Sequence, residues 1–179
     1  MKNALEKDPK SNNAPDAWLY IGLSYYNLKL YDKAIDANNK IINDYKDYQY
    51  LYLAHYNNGT YYSELGSYEK ALAEFDMATT IKADDVNSWN NKGYTLIKLL
   101  RYDDAIDALN KAIALNQLFA NPWYNKASVY ALKNNKPDMI SSLKRAIELD
   151  SKFINTVKTD TNFQSFFNDE EFIALLQSN

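Results

Sequence analysis

The chain has 179 residues, 46% of them hydrophobic and 24% charged, the balance of a folded unit long enough to bury a core. A net charge of −3 gives neither the basic footprint of a nucleic-acid binder nor a polybasic membrane patch, and zero Cys excludes disulfides and thiolate chemistry. With 4 Gly, 4 Pro and apolar residues at helical spacing, the composition favours an all-α class.

The opening MKNALEKDPK lacks the apolar run of a secretion signal, and no stretch approaches a membrane span. A cytoplasmic location is therefore expected, with a fragment of an exported protein as the alternative. In residues 15–48, Trp18, Gly22 and Tyr25 fall at i, i+4 and i+7, one face of a helix. Ala34 and Ile41 repeat the i, i+7 spacing on a second helix. Asn38 lies between them, where either the contact is weaker or Asn38 caps a polar bond.

The next unit, 52–85, is displaced: Gly22 to Gly59, and Ala34 to Ala71, are 37 residues apart, three more than between later units. A one-turn extension of the following helix is expected to absorb the excess. Tyr45, Tyr48, Tyr50 and Tyr52 crowd this junction, where packing between units is the first reading and binding the second. Gly59, Tyr62, Ala71, Phe75 and Ala78 continue the pattern. His55, the single His, stands where the other units carry Trp and reads as a packed ring, not a ligand or base.

Residues 86–119 carry Trp89, Gly93, Tyr102, Ala105, Leu109 and Ala112, preceded by the capping pair Asp84-Asp85. Residues 120–153 carry Trp123, Ala127, Tyr130, Leu143 and Ala146. Met139 in place of Ala predicts a slightly wider helix pair, and Pro137 falls in a first helical turn, where a missing N–H costs little. Residues 154–179 leave the pattern. Thr161 and Gln164 have capping-box spacing, Asp169 precedes a short helix with Phe172, Leu175 and Leu176, and Phe163, Phe166 and Phe167 add apolar load. This segment reads as a cap over the end of a stacked array, with a docking site as the alternative.

Trp89 to Trp123 and Gly59 to Gly93 share a 34-residue period. With Trp early, Gly or Ala four residues later and a helical Ala-x6-Ala downstream, the pattern resembles the tetratricopeptide repeat (TPR) family. The resemblance implies a single all-α domain, a right-handed α-solenoid of four stacked antiparallel helix pairs with a concave face. In that frame Ala4 and Pro9 have the spacing of a unit's end, so residues 1–14 are either a partial repeat or a short N-terminal helix.

No Gly-rich phosphate loop, metal-spaced His/Cys set or Ser–His–Asp arrangement is present, and Asp103-Asp104, Asp32 and Asp36 read as solvated or capping carboxylates. No enzyme, cofactor or metal site is expected. The family resemblance implies a protein-binding module whose first helices line the groove at unit positions 2, 5, 6, 9, 12 and 13. In this chain those include Tyr56, Asn90 and Tyr124 at position 5; Tyr20, Asn57, Asn91 and Asn125 at position 6; Tyr94 and Ser128 at position 9; Tyr26 at 12; and Lys98 at 13. The Asn row looks like the asparagine ladder of sugar-transferring TPR enzymes, where amides hold a peptide backbone; simple solvation of the row is the other reading. Cochaperone TPR domains grip a C-terminal carboxylate with Lys at position 5 and Asn at position 9. Leu19, Tyr56, Asn90 and Tyr124, then Leu23, Thr60, Tyr94 and Ser128, do not supply that clamp. The expected partner is thus a peptide segment of another protein, without nucleic acid or membrane insertion. A self-associating scaffold (a homo-oligomer) and a substrate-recruiting piece of a larger enzyme are the alternatives.

Overall fold

A computed structural model describes residues 13–177. The expectation drawn from Ala4 and Pro9 falls outside them. The described chain is all-α and contains no strand. Four helix pairs follow one another: α1 Ala14–Asn27 with α2 Tyr31–Asp44, α3 Leu51–Glu64 with α4 Tyr68–Ile81, α5 Val86–Lys98 with α6 Tyr102–Leu115, and α7 Ala120–Leu132 with α8 Lys136–Leu149. The short α9 Phe153–Val157, a 3₁₀ helix Thr161–Phe166 and α10 Glu170–Gln177 complete the chain. This is the α-solenoid architecture.

The residues divide into two compact units, Met1–Asp84 and Asp85–Asn179. In the first, α1 packs on α2, α2 on α3, and α3 on α4. In the second, α5 packs on α6, α6 and α5 on α7, and α7 on both α8 and the 3₁₀ helix.

Close approach within a pair depends on a missing side chain. A Cβ on Gly93 would lie 2.6 Å from Leu109 Cγ and 2.7 Å from its Cδ2, inside van der Waals contact. Each pair is then turned by the same device. Lys29, Gly66, Leu100 and Asn134, one per repeat, have φ of 58°, 69°, 60° and 55°. The residue after each donates its N–H back across the helix end: Leu30 to Tyr25 (2.9 Å), Ser67 to Tyr62 (2.8 Å), Arg101 to Leu96 (2.9 Å) and Asn135 to Tyr130 (2.8 Å). These 6→1 bonds are the Schellman closure, which satisfies carbonyls left open at a helix C-terminus.

Two local expectations change. The three extra residues near Tyr48 mostly lengthen a loop: residues 45–50 link α2 to α3, six residues against four at 116–119, while α3 starts just one residue early. The loop is held by its aromatics, since the Tyr48 hydroxyl donates to Asp16 and its ring meets Tyr50 edge-on at 5.6 Å. The 3₁₀ helix is capped by Asp160, whose carboxylate accepts from Asn162 N at 3.0 Å, and not by Thr161. Asp85 caps α5 through Ser88 N at 2.8 Å, and Pro137 sits in the first turn of α8.

Candidate functional site

The residues expected to line a groove sit on the first helix of each repeat, and their surroundings differ sharply. In the second unit, Asn125 Nδ2 donates to Asn90 Oδ1 at 3.0 Å, and Asn90 Nδ2 donates to Asn91 Oδ1 at 3.1 Å. Three amides on neighbouring helices thus form one directed chain. Asn90 is buried at its centre, whereas Asn91 and Asn125 are half-buried. One turn on, Tyr94 is 41% exposed, and exposed Lys98 places its Nζ 5.2 Å from the Tyr94 ring centroid, a cation–π contact.

Tyr124 and Ser128 do not face solvent. Tyr124 is 8% exposed, stacks on Phe153 at 4.5 Å and donates its hydroxyl to Asp160 Oδ2 at 2.7 Å. Burial first, then the Asp160 carboxylate, pushes that hydroxyl far above the ordinary tyrosine value near 10. Ser128 Oγ accepts from Asn162 Nδ2 at 2.7 Å. The cap therefore covers the two positions that repeat periodicity assigned to the groove. Asn90 is corrected likewise, to a buried positioning role.

In the first unit Tyr20 is 66% exposed, while Tyr56 and Asn57 are half-buried and Tyr56 meets Phe75 edge-on at 6.0 Å. Tyr26 is half-buried and stacks on Tyr61 at 4.8 Å, so its ring face is spent on packing. The next position inward holds a network of which the sequence reading foresaw only a polar bond at Asn38 and not its partners: Asn38 Nδ2 donates to Asn58 Oδ1, and Asn58 Nδ2 donates to Asn39 Oδ1, both at 3.0 Å. Asn38 and Asn58 are fully buried, so Asn38 makes a polar bond where repeats three and four have Leu. The signal was available as paired polar residues one position beyond the groove stripe. Asn38 Oδ1 and the Tyr61 hydroxyl remain buried without a partner of good geometry. His55 is packed, with its Nδ1 2.7 Å from Glu74 Oε2.

Among the described residues no three His, Cys, Asp or Glu side chains cluster as metal ligands would, and no helix is long and apolar enough to cross a membrane.

Comparison with known proteins agrees with this architecture. Tetratricopeptide repeat family models match residues 16–48, 86–117 and 120–153. No curated protein sequence matches significantly. Among solved structures, MamA superposes with a TM-score of 0.77 at 20% identity, covering 92% of this chain and 91% of its own. YrrB, described as a TPR protein with an unusual peptide-binding site, gives 0.73 at 16% identity, covering 98% and 88%. TTC0263, a thermophilic TPR protein of Thermus thermophilus, gives 0.71 at 19% identity, covering 90% and 88%. The 34-residue period, the paired helices with their left-handed turn residue and the three family matches make this chain a member of the tetratricopeptide repeat family.

Proposed function

We propose that this chain is a non-enzymatic protein-binding module that holds an extended segment of a partner protein on its first-helix face. The observation that carries the reading is the fixed amide row Asn125–Asn90–Asn91, with Tyr94 and Lys98 exposed beside it. A carboxamide oriented by an internal hydrogen bond loses little freedom on binding. Asn125, whose Nδ2 is held by Asn90, offers its Oδ1 to the N–H that any peptide backbone presents, so the row suits extended segments of varied sequence. Tyr94 adds contact area with few torsions to freeze. In the first unit Asn57 stands at the repeat position of Asn91 and Asn125, with exposed Tyr20 and half-buried Tyr56 on the same stripe. YrrB, of the same fold, is described as having a peptide-binding site, which supports a peptide as the ligand class.

The test is paired affinity capture, with the full chain as one bait and Asn57→Ala, Asn91→Ala, Asn125→Ala together as the other. Both baits are checked by thermal melting. A partner held by the first and lost by the second is the expected result. A partner held equally by both refutes the amide row as the binding surface.

A further inference from the structure

Asn58 and Gly59 form the one Asn-Gly dipeptide in the 179 residues. This pairing is the most prone to lose its side-chain ammonia, because Gly, without a Cβ, leaves its own backbone nitrogen unshielded. Packing keeps the pair in place. A Cβ on Gly59 would lie 2.7 Å from Phe75 Cε1, so any side chain there displaces the ring. Asn58 is fully buried, and its carboxamide links Asn38 to Asn39, both of α2, through both of its polar atoms.

While α3 lies closed on α2, ammonia loss is blocked in three ways. Gly59 sits in the middle of Leu51–Glu64, where the helical backbone ladder engages its N–H. The Asn58 side chain is anchored at Oδ1 and at Nδ2, which keeps its Cγ from swinging onto that nitrogen. Burial keeps out the water or base that must take the Gly59 proton. All three blocks are lifted together when α3 separates from α2. That joint opens at lower cost than an apolar one. Asn38 Oδ1 and the Tyr61 hydroxyl are buried without a partner of good geometry, whereas repeats three and four place Leu109 and Leu143 at the position of Asn38.

We propose that Asn58–Gly59 is a modification site gated by the α2–α3 joint, inert while the joint is closed and converted to aspartate or isoaspartate in molecules where it has opened. The Gly59 backbone nitrogen attacks Asn58 Cγ and gives up its proton. The new N–Cγ bond replaces Cγ–Nδ2, and Nδ2 leaves as ammonia. Water then opens the cyclic imide at the side-chain carbonyl, giving aspartate, or at the main-chain carbonyl, giving isoaspartate. Either product ends the network. Aspartate lacks the Nδ2 donor that holds Asn39 and puts a charge where no solvent reaches, and isoaspartate adds a backbone carbon inside α3. The joint does not reclose as before, so the change is one-way. The site is interior and independent of the amide row.

The full chain is incubated in mildly alkaline buffer, folded and in urea, and conversion at Asn58 is followed by peptide mapping and mass spectrometry. The unfolded chain is expected to convert at least about a hundredfold faster than the folded one. Ile41→Val removes one methyl from the buried cluster that joins α1, α2 and α3. It is expected to speed conversion in the folded chain about two- to tenfold, in step with hydrogen exchange of the α3 amides. Sub-denaturing urea on the parent gives the same test without a substitution. Asn58→Asp is expected to lower the urea midpoint. Equal rates in the folded and unfolded chains, or a folded-chain rate that stays fixed while α3 exchange rises, overturns the gating. Absence of conversion at Asn58 in the unfolded chain overturns the site itself, and an unchanged midpoint for Asn58→Asp overturns the one-way consequence.

Discussion

Gly93→Ala tests whether close approach of α5 to α6 defines the repeat. The new Cβ would sit 2.6 Å from Leu109 Cγ, about 1 Å inside an ordinary carbon–carbon contact. Leu109 is 0% exposed and has no solvent to swing into, so it or the helix must shift, at a cost of about 1–3 kcal/mol. Against this, Ala in a helix interior gains about 1 kcal/mol over Gly. The single substitution should therefore destabilise by about 1 kcal/mol. The sharper statement concerns Leu109→Ala, which alone costs about 2–5 kcal/mol. In that background the clash is gone and only the helix propensity remains, so adding Gly93→Ala should stabilise by about 1 kcal/mol. Urea unfolding followed by far-UV circular dichroism, on the parent and the three variants, gives the cycle. The same sign in both backgrounds would refute the claim that Gly93 is there to admit Leu109.

Two further outcomes follow from the turns and the buried tyrosines. Leu100, 71% exposed with φ of 60°, holds a left-handed conformation that costs a side-chain-bearing residue about 1–2 kcal/mol, so Leu100→Gly should raise the urea midpoint despite the more flexible unfolded chain. Burial pushes the Tyr61 hydroxyl up to about 12, with the Asn38 amide pulling the other way. A raised folded-state value means stability is fully present below the ordinary tyrosine value near 10 and is lost as pH rises from there through about 12. Tyr61→Phe should leave the melting temperature at pH 7 unchanged or higher, because it removes a buried hydroxyl that has no hydrogen-bond partner of good geometry, and should flatten its fall above pH 10.

Much of the fold could be read from residue spacing because the repeat is its own control. Gly59, Gly93, Trp89 and Trp123 reappear at one period, and the small residues they include face bulky ones across the helix pair, as Gly59 faces Phe75. Period counting located the three extra residues near Tyr48 but could not divide them between helix and loop. That choice rests on the Tyr48 contacts with Asp16 and Tyr50, which are long-range or aromatic and carry no periodic signature. The candidate site was legible only as a stripe. Register identifies which face of a first helix is free within a repeat, yet it does not tell which segment covers the last one. Tyr124 and Ser128 were therefore assigned to a groove that Asp160 and Asn162 close. Asn90 differs again: its amide is consumed by neighbours on both sides, a hydrogen-bond pattern that residue type alone leaves open.

The cap closes repeat four by repeating, with shorter elements, the contact one repeat makes with the next. Asn125 reaches Asn90 across 35 residues, Tyr124 reaches Asp160 across 36, and Asn162 reaches Ser128 across 34. The 3₁₀ helix therefore stands where a further first helix would. Six residues at about 2.0 Å rise span about 12 Å, against about 20 Å for the thirteen residues of α7, so it covers only part of that helix. A cavity of about 690 Å³ remains beside it, lined by Ala131, Leu132, Thr161, Gln164 and their neighbours. The missing length is offset by aromatic packing: Phe153 stacks on Tyr124, Phe163 tilts against the same ring at 5.7 Å, and Phe172 lies 6.2 Å from Phe163. Rings of this size bury enough apolar surface to cover this side of α7 without a full-length helix there. The consequence for binding is specific. Asp160 and Asn162 close Tyr124 and Ser128, so the proposed binding face of the second unit is reduced to Asn91, Tyr94, Lys98 and Asn125.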